Sequence, residues 1–112
     1  MKTSKSKDTL PTEICMFSKT YSVTYFLEPY PSDQENEDTL FGKINFQTDN
    51  IEIYNTSKSN KDEILHTLWH EILHALCVNM GINFKKDSNE RIIDTLALGI
   101  FHITNSNNLK IK

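Results

Sequence analysis

Residues 60–81 read NKDEILHTLWHEILHALCVNMG, and the period of that stretch organises the whole chain. Leu65, Leu68, Trp69, Ile72 and Leu76 recur at three- and four-residue intervals, the spacing that lines one face of an α-helix. Ser59 or Asn60 can cap the start, with Asp62 or Glu63 three residues later as the partner of a capping box. Gly81 is placed to end the helix near Met80, because glycine enters the left-handed conformation without a Cβ penalty.

Upstream the period is two. EICMF (13–17) and TYSVTYFLE (20–28) are rich in β-branched and aromatic residues, and SKT lies between them, which predicts a hairpin. EPYPSDQENED follows, with two prolines and a run of acids, and is expected to be an exposed loop. TLFGKINFQ (39–47), TDN and IEIYN (51–55) predict a second hairpin. There Ile44 and Phe46, then Ile51 and Ile53, alternate with polar residues. Downstream a second helix is expected from about Asn89 to Thr104, with Ile92, Leu96, Ile100 and Ile103 facing inward. The order of elements predicts an α+β domain: a small antiparallel sheet of two hairpins packed against the central helix and a second, C-terminal helix. Residues 1–9 are expected to be a disordered tail, 10–106 a single domain and 107–112 a polar tail.

Composition narrows the function classes. A chain of 112 residues supports one modest core, and 38% hydrophobic with 24% charged residues fits a globular protein. A net charge of −3 gives no expectation of nucleic acid as a partner, since such proteins cluster Lys and Arg. No apolar run is long enough for a membrane span, and none follows the basic MKTSKSKDT, so neither a membrane association nor a secretory signal is expected. Cys15 and Cys77 make no disulfide framework, and a cytoplasmic location is the simpler expectation.

Three of the four histidines, His66, His70 and His74, lie at four-residue intervals on the central helix. His70-Glu71-Ile72-Leu73-His74 is an HExxH sequence. Residues i and i+4 of a helix project from one face, which suits two nitrogen ligands on one Zn²⁺. Glu71 sits beside them, placed as a general base toward an attacking water. A catalytic zinc needs a third protein ligand, and SNERIIDTLA offers Glu90 and Asp94 at i and i+4, with Ala97 on the same face. A small residue there lets the two helices approach. Glu90 is favoured as ligand, with Asp94 accepting a hydrogen bond from a ligand histidine. The alternatives are that Asp94 ligates, that Glu90 pairs with an Asp87 cap, and that Asp94 pairs with Arg91.

HExxH followed by Asn-Glu-x-x-x-Asp on the next helix resembles the gluzincin arrangement of zinc metallopeptidases. LFGKINFQTDNIEIYN, TLWHEILHAL and ERIIDTLALGIF, in that order, resemble the compact ImmA/IrrE-type metallo-endopeptidases of bacteria, phages and mobile elements. The resemblance covers roughly residues 13 to 104, and only HExxH in it is sharp. It implies a minimal zincin-like fold, Zn²⁺ as cofactor, His70, His74 and Glu90 as ligands, Glu71 as general base and Asp94 behind a ligand histidine. It further implies limited cleavage of a specific protein or peptide substrate, such as a repressor or host factor. The chain departs from many relatives in carrying no DNA-binding segment and in a short interval from His74 to Glu90. The competing reading is a zinc-stabilised module that blocks a partner without cleaving it; an intact Glu71 argues against it.

The remaining residues carry weaker readings. His66 is read as a residue at the rim of the site or behind a ligand, against a plain exposed histidine, which is somewhat favoured, and Cys77 as a small residue between helices more than as a soft-metal ligand. Tyr54 and His102 are accessory candidates for oxyanion stabilisation, though no spacing demands it. Trp69 is expected in the core. Gly42, in the exposed GKIN stretch, could lie on an edge strand to which a peptide adds by main-chain pairing, with residues 29–40 contributing selectivity.

Overall fold

The computed structural model describes residues 10–31, 41–82 and 87–107. The tail expected at 1–9, all but the first residue of the one expected at 107–112, and most of the 29–40 loop lie outside them. Four strands precede two helices: β1 (Glu13–Met16), β2 (Lys19–Tyr25), β3 (Gly42–Asn45), β4 (Asn50–Ile53), α1 (Lys61–Asn79) and α2 (Asp87–Ser106). This is the expected α+β arrangement of a small sheet packed against helices.

Alternation decides which face of the sheet is buried. Ile14 on β1, Tyr21 and Val23 on β2, and Ile51 and Ile53 on β4 point to one side, where Ile64, Leu68, Ile72 and Ala75 of α1 meet them. Ser22, Thr24 and Asn50 point to the other, where the Asn50 amide donates to the Ser22 hydroxyl at 2.7 Å and the Thr24 hydroxyl at 3.2 Å. Both hairpins pair antiparallel, Ile14 opposite Tyr21 and Ile44 opposite Ile51. The two hairpins join through a parallel pair, Val23 opposite Ile51, so the four-stranded sheet is mixed, in the order β1-β2-β4-β3. The chain leaves β2, enters β3 at the far edge from the same end of the sheet, and β4 returns between them. A hairpin inserted that way must lay β4 parallel to β2.

α1 begins and ends on the signals in its sequence. Asn60 is the N-cap: its side chain accepts from the Glu63 N–H at 2.8 Å, and the Glu63 carboxylate accepts from the Asn60 N–H at 3.0 Å. At the other end Gly81 takes φ +77°, Ile82 N–H donates to the Cys77 carbonyl and Gly81 N–H to that of Val78. That pair of bonds is a Schellman stop.

α2 packs on a face other than the expected one. Ile93, Ala97 and Phe101 are buried, while Ile92, Leu96 and Ile103 are about half exposed. At about 100° per residue those two stripes lie roughly 120° apart, and Glu90, Asp94 and Ala97 belong to the buried one. The helix cannot turn its carboxylates and the Ile92 stripe toward α1 together. The small Ala97 wins because it admits close approach, and Leu73, Ile93 and Ala97 form the seam, flanked by Trp69, Leu76, Cys77 and Ile100.

Two substitutions separate local from packing contributions. Asn60→Ala should lower stability by about 1 kcal/mol through the lost cap, and Leu68→Ala, at the centre of the core, by about 2–5 kcal/mol. Urea denaturation followed by circular dichroism measures both.

Candidate metal centre

The site is built across the α1–α2 seam. His70 and His74 are one turn apart on α1 and present Nε2 atoms 3.1 Å from each other. Glu90, in the first turns of α2, brings Oε1 to 2.6 Å from the His70 Nε2 and 2.9 Å from the His74 Nε2. These three side chains form a cluster that could hold a metal ion. Asp94, one turn further along α2, places Oδ1 3.1 Å from the His70 Nδ1. A carboxylate only accepts, so the Nδ1 facing Asp94 and, with no ion between them, the Nε2 facing Glu90 would both donate; an ion between Nε2 and Glu90 would leave that nitrogen its lone pair.

The chemistry of the donor set fits a cation. Two imidazole lone pairs and a carboxylate oxygen that converge this closely repel unless positive charge lies among them. Without an ion, protonated imidazoles supply that positive charge: burial pushes the Glu90 carboxyl up, but hydrogen bonding to His74 and the positive charge of His74 and His70 outweigh it and hold it below the usual carboxylate range. Asp94 stands behind the His70 ring, and it has a second contact there. Its Oδ1 also lies 3.3 Å from the His66 Nε2, so one oxygen serves two rings.

Glu71 is the buried charged residue of the core, 8% exposed. Burial pushes its carboxyl up; the positive charge of His70 and His74 pulls it back, and the negative charge of Glu90 adds to the rise. Its neighbour on the other side is Gly42, the first residue of β3. A Cβ at that position would stand 2.9 Å from the Thr67 methyl and 3.1 Å from both Cγ and Oε2 of Glu71. Only a residue without a side chain lets the strand come this close to the helix. Two cavities open on either side of this contact, and Gly42, His70 and Glu71 line both. The larger, about 530 Å³, runs toward the start of α1 past His66, Thr67, Lys58 and Asn55. The smaller, about 380 Å³, runs toward its end past His74 and Val78.

Other sequence candidates fall outside. The Tyr54 hydroxyl donates to Glu52 at 2.5 Å and its ring stacks on Phe26, so it belongs to the sheet's end and lines neither cavity. His102 is exposed on α2 with its ring against Phe101, two turns beyond Asp94. Cys77 is packed in the seam, where burial pushes its thiol up, and Trp69 is partly buried against both apolar clusters. His66 lines the larger cavity, with its ring beside Asp94. The approach of Gly42 to Glu71, and the part played by Ile44, Phe46 and Val78 in the smaller cavity, had no signal in the sequence, because each joins segments far apart along the chain.

Compared with protein-family models, with curated proteins and with solved structures, the chain finds no match. The site therefore stands on its own geometry. Among the described residues no helix is long and apolar enough to cross a membrane.

His70→Ala or His74→Ala should abolish stoichiometric metal, read by elemental analysis after dialysis. Glu90→Ala should weaken metal affinity far more than Asp94→Ala, for which a loss of about 10–100-fold is expected. The reverse order in a chelator competition would make Asp94 the ligand. A separate test addresses the strand. Gly42→Ala should cost about 1–3 kcal/mol through overpacking while metal content is retained, and loss of metal with unchanged stability would contradict that contact.

Proposed function

We propose that this protein is a zinc-dependent metallo-endopeptidase that cleaves a peptide bond in a specific protein target. The observation that carries the reading is the position of Glu71. A buried carboxylate borders the His70–His74–Glu90 cluster on one side and the open edge of a β-strand on the other, with a cavity at each end. A zinc that served only to hold the fold would not call for a base there.

The donor set suits zinc. His70, His74 and Glu90 would hold it through two imidazole nitrogens and a carboxylate oxygen, donor types that Zn²⁺ accepts. Two imidazoles and one carboxylate are also the protein ligands of a catalytic zinc, which keeps a further position for chemistry. Zn²⁺, when bound, supplies the Lewis acidity that polarises the carbonyl and acidifies the attacking water. The chain's own residues do the rest. Glu71 takes the proton of the water as its oxygen adds to the carbonyl carbon, and delivers that proton to the amine nitrogen as the C–N bond breaks. Asp94 keeps the His70 Nδ1 protonated and the ring fixed, so that Nε2 stays directed at the metal.

β3 supplies a place for the substrate backbone. The Tyr54 N–H donates to the Phe41 carbonyl at 2.7 Å. By the alternation of an antiparallel ladder, Lys43 and Asn45 also bond toward β4, and the peptide groups of Gly42 and Ile44 are directed away from it, at an edge that is unpaired among the described residues. A peptide added there runs beside Glu71. The resemblance to ImmA/IrrE-type peptidases favours limited cleavage of a repressor or host factor over bulk digestion. We place the activity in the cytoplasm, which both free thiols, Cys15 and Cys77, favour.

Glu71→Gln keeps size and hydrogen-bonding capacity but cannot accept the proton. Zinc content and fold should survive while cleavage falls by about 10²–10⁴-fold, measured on a host lysate by mass spectrometry of new termini. A module that only blocks a partner gives the opposite result: equal biological effect from both proteins and no new termini with either.

A further inference from the structure

α2 carries two apolar stripes, and α1 covers one of them. Ile93 and Ala97 are buried in the seam with α1, whereas Ile92, Leu96 and Ile103 are 49%, 51% and 58% exposed. The extensive contacts of α2 are with α1 alone, so the second stripe has no helix or strand against it among the described residues. A helix that is apolar on two sides is built for two neighbours.

Gly99 lies on the open stripe. Ile92, Leu96, Gly99 and Ile103 follow one another at intervals of four, three and four residues, the seam spacing of paired helices. Glycine is a poor helix former, and nothing within the fold calls for it here. Gly99 takes no left-handed φ, as Gly81 does, and a Cβ on it would meet nothing within 4 Å. A notch in the middle of an exposed helix has a use when another backbone comes close to it. The same face holds Thr95 and His102 but no Asp, Glu, Lys or Arg between Ile92 and Ile103, the depletion of charge that marks the centre of an interface.

We infer that two copies of this chain pair through this stripe, α2 against α2, antiparallel about a two-fold axis level with Ala97 and Leu98. Leu96 of each copy sits over Gly99 of the other, and Ile92 of each lies beside Ile103 of the other. The occupant is a second copy because the stripe is complementary to itself, as a two-fold contact requires. Reversing the helix exchanges position 96 with 99 and 92 with 103, which sets knob against notch. A hollow of about 420 Å³ lies against Ile92, Thr95 and Leu96 at one end of the stripe, and Ile103 stands out at the other end; the reversal brings them together. The two Arg91 side chains, at the stripe's border, start about 20 Å apart along the axes, so like charges do not meet. The contact is about 17 Å long and about 12 Å wide on each copy, short of the roughly 1,200 Å² in total that stable dimers bury. The dimer is therefore reversible, half formed at about 100 µM. Glu90 and Asp94 lie on another side of α2, so pairing leaves the candidate metal centre open, and the inference does not depend on the peptidase reading.

Sedimentation velocity of the full chain, from about 5 to about 500 µM, tests the pairing. Wild type should pass from monomer mass to a plateau at dimer mass. Leu96→Glu and Gly99→Lys should each stay monomeric throughout, a loss of association of at least tenfold. Gly99→Lys should also raise the melting temperature of dilute protein, because lysine is the better helix former and has room at that position. Mixing the two variants tests the register. Glu at 96 of one copy then faces Lys at 99 of the other, the second 96–99 contact stays native, and dimer should reappear. A wild type that stays monomeric at the highest concentration leaves the stripe to a different partner and overturns the inference. So does a dimer that survives both substitutions, mass that keeps rising past the dimer, a melting temperature lowered by Gly99→Lys, or no dimer on mixing.

Discussion

The seam between α1 and α2 is the constraint on which the site depends. α2 makes its extensive packing on α1, not on the sheet. Its buried apolar part is small: Leu73 from one helix, Ile93 and Ala97 from the other. Ala97 is the contact that sets the separation, because a larger side chain there would push the axes apart and withdraw the carboxylates of Glu90 and Asp94 from the imidazoles. The polar and apolar halves of the seam therefore fix each other. Packing brings the carboxylates within 2.6–3.1 Å of the rings, and the rings give the amino-terminal half of α2 its partners.

The sheet contributes through one residue. β3 is an edge strand, and Gly42 at its start brings it against α1 beside Glu71. The result is a carboxylate dehydrated by strand and helix yet open to two cavities. Dehydration raises its affinity for a proton, while the imidazoles next to it oppose that rise. The role proposed for Glu71, taking a proton and later giving it back, calls for such opposing influences.

The sequence made local structure legible and left the long-range arrangement hidden. Asn60, Glu63 and Gly81 announce the ends of α1 because caps are made by residues within one turn of each other. His70, His74, Glu90 and Asp94 could be assigned to facing helices because i and i+4 share a face whatever the tertiary structure. Strand alternation marked Ile51 and Ile53 as inward, but a period of two carries no information on strand order or direction. The parallel join of β2 to β4 was therefore invisible. For α2 the sequence offered two apolar stripes, and the larger residues, Ile92, Leu96 and Ile103, suggested the wrong one. The polar ligands on the other stripe were the better guide to its orientation. Gly42 could be placed on an edge, but nothing local says that an edge strand touches a helix residue twenty-nine positions later.

The ligands' places along the chain have a further consequence. His74 and Glu90 are sixteen residues apart, one near the end of α1 and the other near the start of α2. An ion joining them is a reversible cross-link that closes the helix–turn–helix into a ring. By the chain-entropy account used for disulfides, closing a loop of this length restricts the unfolded chain by about 3 kcal/mol. A small domain whose second helix rests on so narrow a seam would thus acquire from an ion held there the staple that other small domains obtain from cystine. Removal of such an ion would release the tether on α2.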